Sequence, residues 1–554
     1  MPQDRVVDPT GAELVCEILV DEGATHVFGN PGTTEIPFVR ALAGRDDIEY
    51  VLGLQEATVV AMADGMARLT GRPTFVSLHA AAGLGNGIGA LTNAAAAHVP
   101  MVVTAGQQDL RHLLSGPVLA GDLAGLAEPT VKWAHEVRTR AEVGPSLRRA
   151  FRLALSPPTG PVFLSLPMNL LDERGPSAPE RTPAAIRGAA PIDALTSLLD
   201  RTPADGVALV YGDEVARSAP AEGIALAETL RAPVWGASWP SANPFPTTHD
   251  LWRGYLPPTA SGIRETLSDH RLVLVLGARA FLAYFPYAPG PVTDAGTRVV
   301  QISDEPDDAG RTTPVELALH GDLRATIARL STALTDRPRR DAGPASPGPE
   351  AAGRAHANGP LDARSIAHVL AATLPDDAVI LDEAPVTTDD LRHALRLHRP
   401  NRYQWVAGGL GWAMPAAVGA AMAPAREGKR VLCVVGDGSA LYSPQALWTA
   451  ARHRLPITYV VVDNGEYRVL KDNWQIHTPG DHDHSALDLD RPRVDFVALA
   501  RSMGVEARSV TDNEDLRRTL TAAHRHDRPT LIKAHLPQPP TERRRHQSSD
   551  HVCG

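Results

Sequence analysis

The stretch from Gly436 to Tyr467, GDGSALYSPQALWTAARHRLPITYVVVDNGEY, constrains the fold more than any other part of the chain. An apolar, β-prone run, Val431 to Val435, ends in Gly436-Asp437-Gly438. A helical segment follows, and a second apolar run, Ile457 to Val462, ends in Asp463-Asn464-Gly465. Strands joined by one helical crossover normally lie parallel, so both sets of acid or amide side chains reach the same sheet edge. That edge is where open α/β sheets bind ligands. The glycines allow sharp turns and a close approach of backbone to ligand. Hard oxygen donors in this arrangement suit Mg²⁺, which commonly keeps phosphate oxygens and water as its other ligands.

At 554 residues the chain is long enough for several cores, about three or four domains. Apolar residues at 43% and charged residues at 21% are ordinary for a globular protein that does not enter a membrane. A net charge of −10 argues against a nucleic-acid partner. No apolar run is long enough to span a bilayer, and the N-terminus lacks the basic and apolar regions of a secretory signal. Cys16, Cys433 and Cys553 have no spacing that suggests zinc or a disulfide framework, which fits a reducing cytoplasm. His482 and His484, in DHDHS, have no partner cluster in the sequence and read as a solvated loop.

Alternating strand-like and helical runs predict an α/β fold of three doubly wound parallel-sheet domains. The first covers residues 1–187, with strand-like runs at Thr25–Gly29, Ile48–Leu54, Thr74–His79, Met101–Ala105 and Val162–Leu166. Helical patterns there include Ala57–Leu69 and Gly87–His98. The second covers residues 188–335 and the third 360–537. Residues 336–359, rich in Pro, Gly, Ala and charge, read as a flexible linker. The polar, basic residues 538–554 read as a disordered tail. The glycine-rich segment Gly85 to Ala90 follows a strand and opens a helix. It lacks the acidic residue about 20 positions on that a dinucleotide fingerprint requires. VYGDEV in the second domain has the look of a nucleotide-site turn.

The GDG motif, a spacer of this length and a following Asn together resemble the thiamine-diphosphate enzymes. The resemblance implies that Asp437 and Asn464 bind Mg²⁺ by side chain and Glu466 by its main-chain carbonyl. It adds Gly436, Gly438, Ser439 and Tyr467 as cofactor contacts. One departure is visible, because the first residue of the usual Asn pair is Asp463. In YVLGLQEATVVAMADGMARLTGR, Glu56 sits at a strand–helix junction, where an acid is ordinarily a cap or first-turn residue. In the resembled family a Glu here contacts N1′ of the aminopyrimidine. A carboxyl group removed from water holds its proton and can share it. Protonating N1′ favours the tautomer whose 4′-nitrogen takes the thiazolium C2 proton. In GGLGWAMPAA, Leu410 matches the aliphatic wedge that bends the cofactor, and the Gly408 carbonyl matches the acceptor for its amine.

Within that superfamily the chain is most similar to the benzoylformate decarboxylase family, over nearly its whole length. VFGNPGTTEIPF, LQEATVVAMADGMA, LHAAAGLGNGIGALTNA and VPMVVTAGQQ carry the similarity in the first domain. The family's substrate-binding Ser falls at Thr33, which keeps the hydroxyl, and its proton-transferring His falls at His79. A second family His, in the middle domain, falls at Phe285, so one proton shuttle is lost. After Asn464, the positions of the family's aromatic pocket hold Arg468, Val469, Lys471 and Asn473. If these face the site, the substrate is more polar or anionic than benzoylformate; long basic side chains also commonly face solvent.

The resemblance implies a non-oxidative 2-oxo acid decarboxylase that binds thiamine diphosphate and Mg²⁺. Sites shared between chains would make a dimer the minimum and a tetramer the expected state. The lost His leaves open a carboligase, in which the enamine attacks a second carbonyl. A flavin-dependent oxidase of the same fold and a non-catalytic scaffold are further alternatives. FAD is not expected, since some relatives bind FAD or ADP in the middle domain and others bind nothing there.

Overall fold

The computed structural model describes residues 8–182, 187–279, 281, 290–335, 359–406, 408–424, 430–480 and 482–537. Phe285, the predicted tail and all but the last residue of the predicted linker lie outside the described residues.

Three six-stranded sheets, all parallel, fall within the three predicted segments. The first is ordered Glu49–Leu52, His26–Gly29, Thr74–Leu78, Met101–Gln107, Pro161–Pro167, Ala134–Glu136. The third is ordered Tyr403–Trp405, Val379–Glu383, Val431–Gly436, Ile457–Asp463, Thr530–His535, Glu506–Val510, which repeats the first strand for strand. The middle sheet runs Trp252–Tyr255, Val234–Gly236, Val207–Tyr211, Leu272–Leu276, Arg298–Ser303, Leu317–His320, the strand order of a Rossmann fold. Central strands covered by helices on both faces read as unbroken apolar runs, as in the fully buried Leu272–Leu276.

Chain reversal in sheet order opens a crevice at the carboxyl ends of the two strands that flank it. In the first sheet these strands are His26–Gly29 and Thr74–Leu78, which release the GNPGTTE loop and His79. In the third they are Val379–Glu383 and Val431–Gly436, which release Glu383 and Asp437.

The predicted opening of a helix at Gly85 is corrected. The helix spans Ala80–Ala96, so the glycine-rich segment lies inside it rather than in a phosphate-binding loop. Its glycines serve packing. A Cβ at Gly87 would lie 3.3 Å from Leu78 and 3.4 Å from Val60, and one at Gly83 would press on Glu56. A short strand, Ala134–Glu136, was not apparent from the sequence.

The first and third domains are joined by two helices, Glu56–Thr70 and Ala413–Met422, that touch backbone to backbone. A Cβ at Gly65 would lie 2.1 Å from the Ala416 carbonyl oxygen, and one at Gly419 would lie 1.7 Å from the Met62 carbonyl oxygen. Pairing Met62 with Gly419 and Gly65 with Ala416 makes the helices antiparallel. At one end of the pair, the buried Arg68 donates to Asp64 at 2.5 Å and to the carbonyls of Ser241 and Trp405. Its guanidinium lies 4.6 Å from the Trp412 ring, and Trp412 Nε1 donates to Asp64 at 2.7 Å. Residues of all three domains therefore meet at one satisfied polar cluster.

Because the atom facing Gly419 is backbone on a rigid helix, Gly419→Ala has no cheap relief. It is expected to lower stability by about 1–3 kcal/mol or more, read as a reduced midpoint in thermal or denaturant unfolding.

Candidate active site

The residues with chemistry fall into two half-sites. The first sits at the switch point of the N-terminal sheet. Glu56 opens its helix, but the cap is supplied by Gln55, whose side chain accepts from Thr58 N at 3.0 Å. The Glu56 carboxylate is turned instead onto the Ala80–Ala96 helix, where Asn86 donates to Oε2 at 3.1 Å. The missing side chain of Gly83 makes room for it, since a Cβ there would lie 3.2 Å from Glu56 Oε1 and 3.6 Å from His79 Cβ. Glu56 and His79 thus border the same glycine.

His79 is held from behind. Its Nδ1 lies 2.9 Å from Glu35 Oε2 and 3.0 Å from Thr34 Oγ1. The Glu35 carboxylate, 3% exposed, also accepts from Gly32 N at 2.8 Å, Gly106 N at 2.9 Å and Thr34 Oγ1 at 2.7 Å. An ionised carboxylate only accepts, so Nδ1 carries the proton and Nε2 is left for a reacting group. Gly32 lies against the imidazole, where a Cβ would come within 2.2 Å of the ring. Thr33 is exposed at the loop surface, and its buried neighbour Thr34 makes the bond to His79.

The second half-site is in the C-terminal domain. Asp437 follows strand Val431–Gly436 and is 5% exposed. Its two oxygens accept from Gly438 N at 2.9 Å and Gly465 N at 2.7 Å, tying the two sequence motifs together. Asn464 Oδ1 accepts from Glu466 N at 3.0 Å. Burial, with Asp463 nearby, pushes the Asp437 carboxyl up to about 6. A divalent cation would hold it ionised, and a carboxylate, an amide oxygen and a main-chain carbonyl are the donors Mg²⁺ accepts. Among the described residues no group of three or more His, Cys, Asp or Glu side chains could hold a metal. The donor set here does not depend on one. Gly438 and Ser439 are buried at the turn, and Tyr467 packs on Gly438, where a Cβ would lie 2.6 Å from its ring. The loop with Gly408 and Leu410 reaches the same place, because a Cβ at Gly411 would lie 2.6 Å from Tyr442 Cβ.

The unusual Asp463 is neutralised. Its burial would raise its carboxyl, but Arg493 at 2.8 Å and Lys533 at 3.0 Å hold it below the ordinary value. The basic residues after Asn464 are neutralised likewise. Lys471 pairs with Glu466 and, at 2.5 Å, with Asp488, while Arg468 pairs with Glu466. Neither is a free cation for an anionic substrate. Both lie on the helix Arg468–His477, none of whose residues is buried. Val469, 37% exposed, and Asn473 share a face of it one turn apart. His482 and His484 are not merely solvated. They lie against Trp474, with ring centroids 5.6 and 4.8 Å away.

At the middle domain's switch point, by the carboxyl ends of Val207–Tyr211 and Leu272–Leu276, lies a cavity of about 180 Å³ that is closed by Asn93, Ala97 and His98 of the first domain and Val406 of the third. Asp213, Glu214 and Asp308 line it together with Arg217 and Arg279. Asp213 accepts from Ser241 N at 3.0 Å, and Arg279 pairs with Asp308 at 3.1 Å.

Sequence reasoning missed Glu35, Asn86, Asn93 and Glu383. Glu35 lay in a quoted motif, two residues past Thr33, and a carboxylate beside an apolar IPF run was the available signal. Asn86 and Asn93 also lay in a quoted motif, LHAAAGLGNGIGALTNA, and Glu383 in none.

Three models of thiamine pyrophosphate enzymes match the chain: the N-terminal TPP binding domain over residues 9–124, the central domain over 193–330 and the C-terminal TPP binding domain over 387–534. The chain belongs to the thiamine pyrophosphate enzyme family. It is 41% identical over 531 residues to benzoylformate decarboxylase of Pseudomonas aeruginosa, covering 93% of this chain and 97% of that protein. A solved thiamine diphosphate-dependent 4-hydroxybenzoylformate decarboxylase from Rhodococcus jostii superposes with a TM-score of 0.87 at 35% identity, covering 96% of this chain and 99% of that one. An acetolactate synthase large subunit from Parasynechococcus marenigrum is 28% identical over 562 residues, 95% of this chain and 87% of that protein.

Glu214 offers a pH test of the middle-domain cavity. Burial pushes its carboxyl from the ordinary 4.5 up to about 7. The folded chain keeps a proton that the unfolded chain has released, so this group's contribution to stability falls as pH rises from about 4.5 to about 7. Glu214→Gln is expected to flatten that slope in unfolding measured across the same pH range.

Proposed function

We propose that this protein catalyses the non-oxidative decarboxylation of a 2-oxo acid, using thiamine diphosphate and Mg²⁺ held between two chains. The observation that carries the reading is His79, locked at Nδ1 by Glu35 and set beside Glu56. When bound, thiamine diphosphate supplies a nucleophilic carbon and an electron sink for the departing carboxylate. Asp437, Asn464 and the Glu466 carbonyl would hold Mg²⁺, with Gly436, Gly438, Ser439 and Tyr467 around the diphosphate. The Gly408 carbonyl and Leu410 would meet the aminopyrimidine from one side, and Glu56 would hold a proton against it from the other. The Thr33 hydroxyl would bind substrate carboxylate, and His79 Nε2 would move a proton at the carbonyl carbon or oxygen.

Helix geometry supports the two-chain reading. Glu56 lies at one end of the antiparallel helix pair. The Gly408–Leu410 loop runs into Trp412 at the other, where Trp412 bonds Asp64. Eight residues separate Glu56 from Asp64, about 12 Å at helical rise, more than one aminopyrimidine ring can bridge. The half-sites also expose apolar side chains that a partner would cover, among them Leu114, Val118, Leu441, Tyr442, Leu470 and Ile476. We therefore read the protein as a homodimer or a tetramer of dimers. The expected compartment is the cytoplasm, which suits the buried free thiols of Cys16 and Cys433. A flavin is not part of the reading, because the middle-domain cavity is small for a dinucleotide and three of its lining residues are carboxylates.

Phe285, at the position of a family histidine, favours a second reading, carboligation through the same site. With a panel of 2-oxo acids, thiamine diphosphate and Mg²⁺, we expect one mole of aldehyde for each mole of CO₂. CO₂ with acyloin would move the protein to the carboligases, and no CO₂ from any acid would sink the decarboxylase reading. For the shared site, Glu56→Ala and Asp437→Ala chains should each be inactive alone. Co-assembled in equal amounts, they should recover about a quarter of wild-type activity, since half the dimers would keep one intact site. No recovery in verified mixed dimers would place each site within one chain.

A further inference from the structure

Three of the four residues in the loop Gly408 to Gly411 are glycines, a composition with great backbone freedom. A loop that must present one carbonyl and one wedge side chain in fixed register needs to be held from outside. Two buried side chains from different domains do this. Asn93, on the Ala80–Ala96 helix of the N-terminal domain, grips Gly409 with both ends of its amide. Nδ2 donates to the Gly409 carbonyl at 2.8 Å, and Oδ1 accepts from Gly409 N at 2.9 Å. Glu383 ends strand Val379–Glu383 and is 3% exposed. Its Oε1 accepts from Gly411 N at 2.6 Å and its Oε2 from Ala413 N at 2.7 Å, which also satisfies the open N-terminus of the Ala413–Met422 helix.

The glycines fit this clamp. A Cβ at Gly408 would lie 2.2 Å from Asn93 Oδ1, and Gly411 has a φ of +97°, a conformation that disfavours other residues. Gly409 is pinned by Asn93 and Gly411 by Glu383. Between and beside them, the Leu410 side chain stays 36% exposed, and the Gly408 carbonyl takes no hydrogen bond from any described residue. The loop is thus held at Gly409 and Gly411, on either side of the Leu410 wedge and next to the Gly408 carbonyl.

We propose that Asn93 and Glu383 are positioning residues that hold the Gly408 carbonyl and Leu410 in register for the cofactor's aminopyrimidine, without touching the cofactor themselves. This rests on the thiamine-diphosphate reading above. Glu383 suits the task because a carboxylate accepts with both oxygens, whereas an amide in its place would turn an N–H toward one of the two backbone donors. Burial pushes its carboxyl up, and the backbone N–H groups of Ala413 and Gly411 work against that by favouring the ionised form.

The test separates the two ends of the cofactor. In the full-length protein with Mg²⁺, the binding of thiamine diphosphate and of inorganic pyrophosphate is measured by calorimetry for wild type, Asn93→Ala and Glu383→Gln. Pyrophosphate reports only the diphosphate end. Thiamine diphosphate is expected to bind about tenfold or more weakly to each variant, while pyrophosphate binds within about twofold of wild type. At saturating cofactor, kcat should fall with little change in the KM for 2-oxo acid. Unchanged thiamine diphosphate affinity, or a parallel loss of pyrophosphate, would overturn the positioning role. Should Glu383→Gln not fold, Asn93→Ala tests the same loop from the opposite side. Failure of wild type to bind thiamine diphosphate would instead overturn the cofactor reading itself.

Discussion

The antiparallel seating of the Glu56–Thr70 helix on the Ala413–Met422 helix is the constraint from which the rest of the site follows. Gly65 and Gly419 bring the two backbones into contact, so the spacing of the N- and C-terminal domains cannot adjust. Arg68, Asp64 and Trp412 then lock one end of the pair, with carbonyls from the middle domain and the third sheet completing the guanidinium's bonds. Buried charge survives there because every partner is supplied. With the spacing set, Glu56 and the Gly408–Leu410 loop are held apart at opposite ends. The polarity of one helix pair is what the two-chain reading of the site rests on.

Electrostatics in the C-terminal half-site divide cleanly. Charges that depart from the family pattern are cancelled locally: Asp463 by Arg493 and Lys533, and Arg468 and Lys471 by Glu466 and Asp488. Asp437 and Glu383 are among the carboxylates whose burial opposes their ionisation. One sits where a cation would resolve the imbalance, and the other braces the loop that would meet the cofactor's ring. Unfavourable burial of this kind concentrates at functional sites.

Much of this was legible in the chain itself. The runs Val431 to Val435 and Ile457 to Val462 became strands Val431–Gly436 and Ile457–Asp463, because apolar β-prone runs bounded by glycine leave little choice. Glu56 and His79 stood out at strand ends, and the structure sets them around one glycine. The helix entry was misread at Gly85 because glycines usually mark loops, whereas here they clear space for Glu56, Leu78 and Val60. Glu35, Asn93 and Glu383 escaped notice for a different reason. Glu35 accepts from Gly32 N three residues back, but each also acts on a backbone group 71, 316 or 28 residues away in the chain, and no local pattern encodes those distant pairings.

By itself the sequence determined three α/β units, the identity of the chemical groups at their strand ends, and membership of a thiamine pyrophosphate family. Those properties reside in periodicity and short motifs, which depend only on neighbours along the chain. Only the tertiary structure decided that Arg468 and Lys471 are spent on Glu466 and Asp488, that Thr34 rather than Thr33 touches His79, and that Glu56 and the Gly408–Leu410 loop lie at opposite ends of one helix pair. Those outcomes depend on which helix ends meet and which backbone donors a buried carboxylate finds, and such contacts exist only once distant segments have packed.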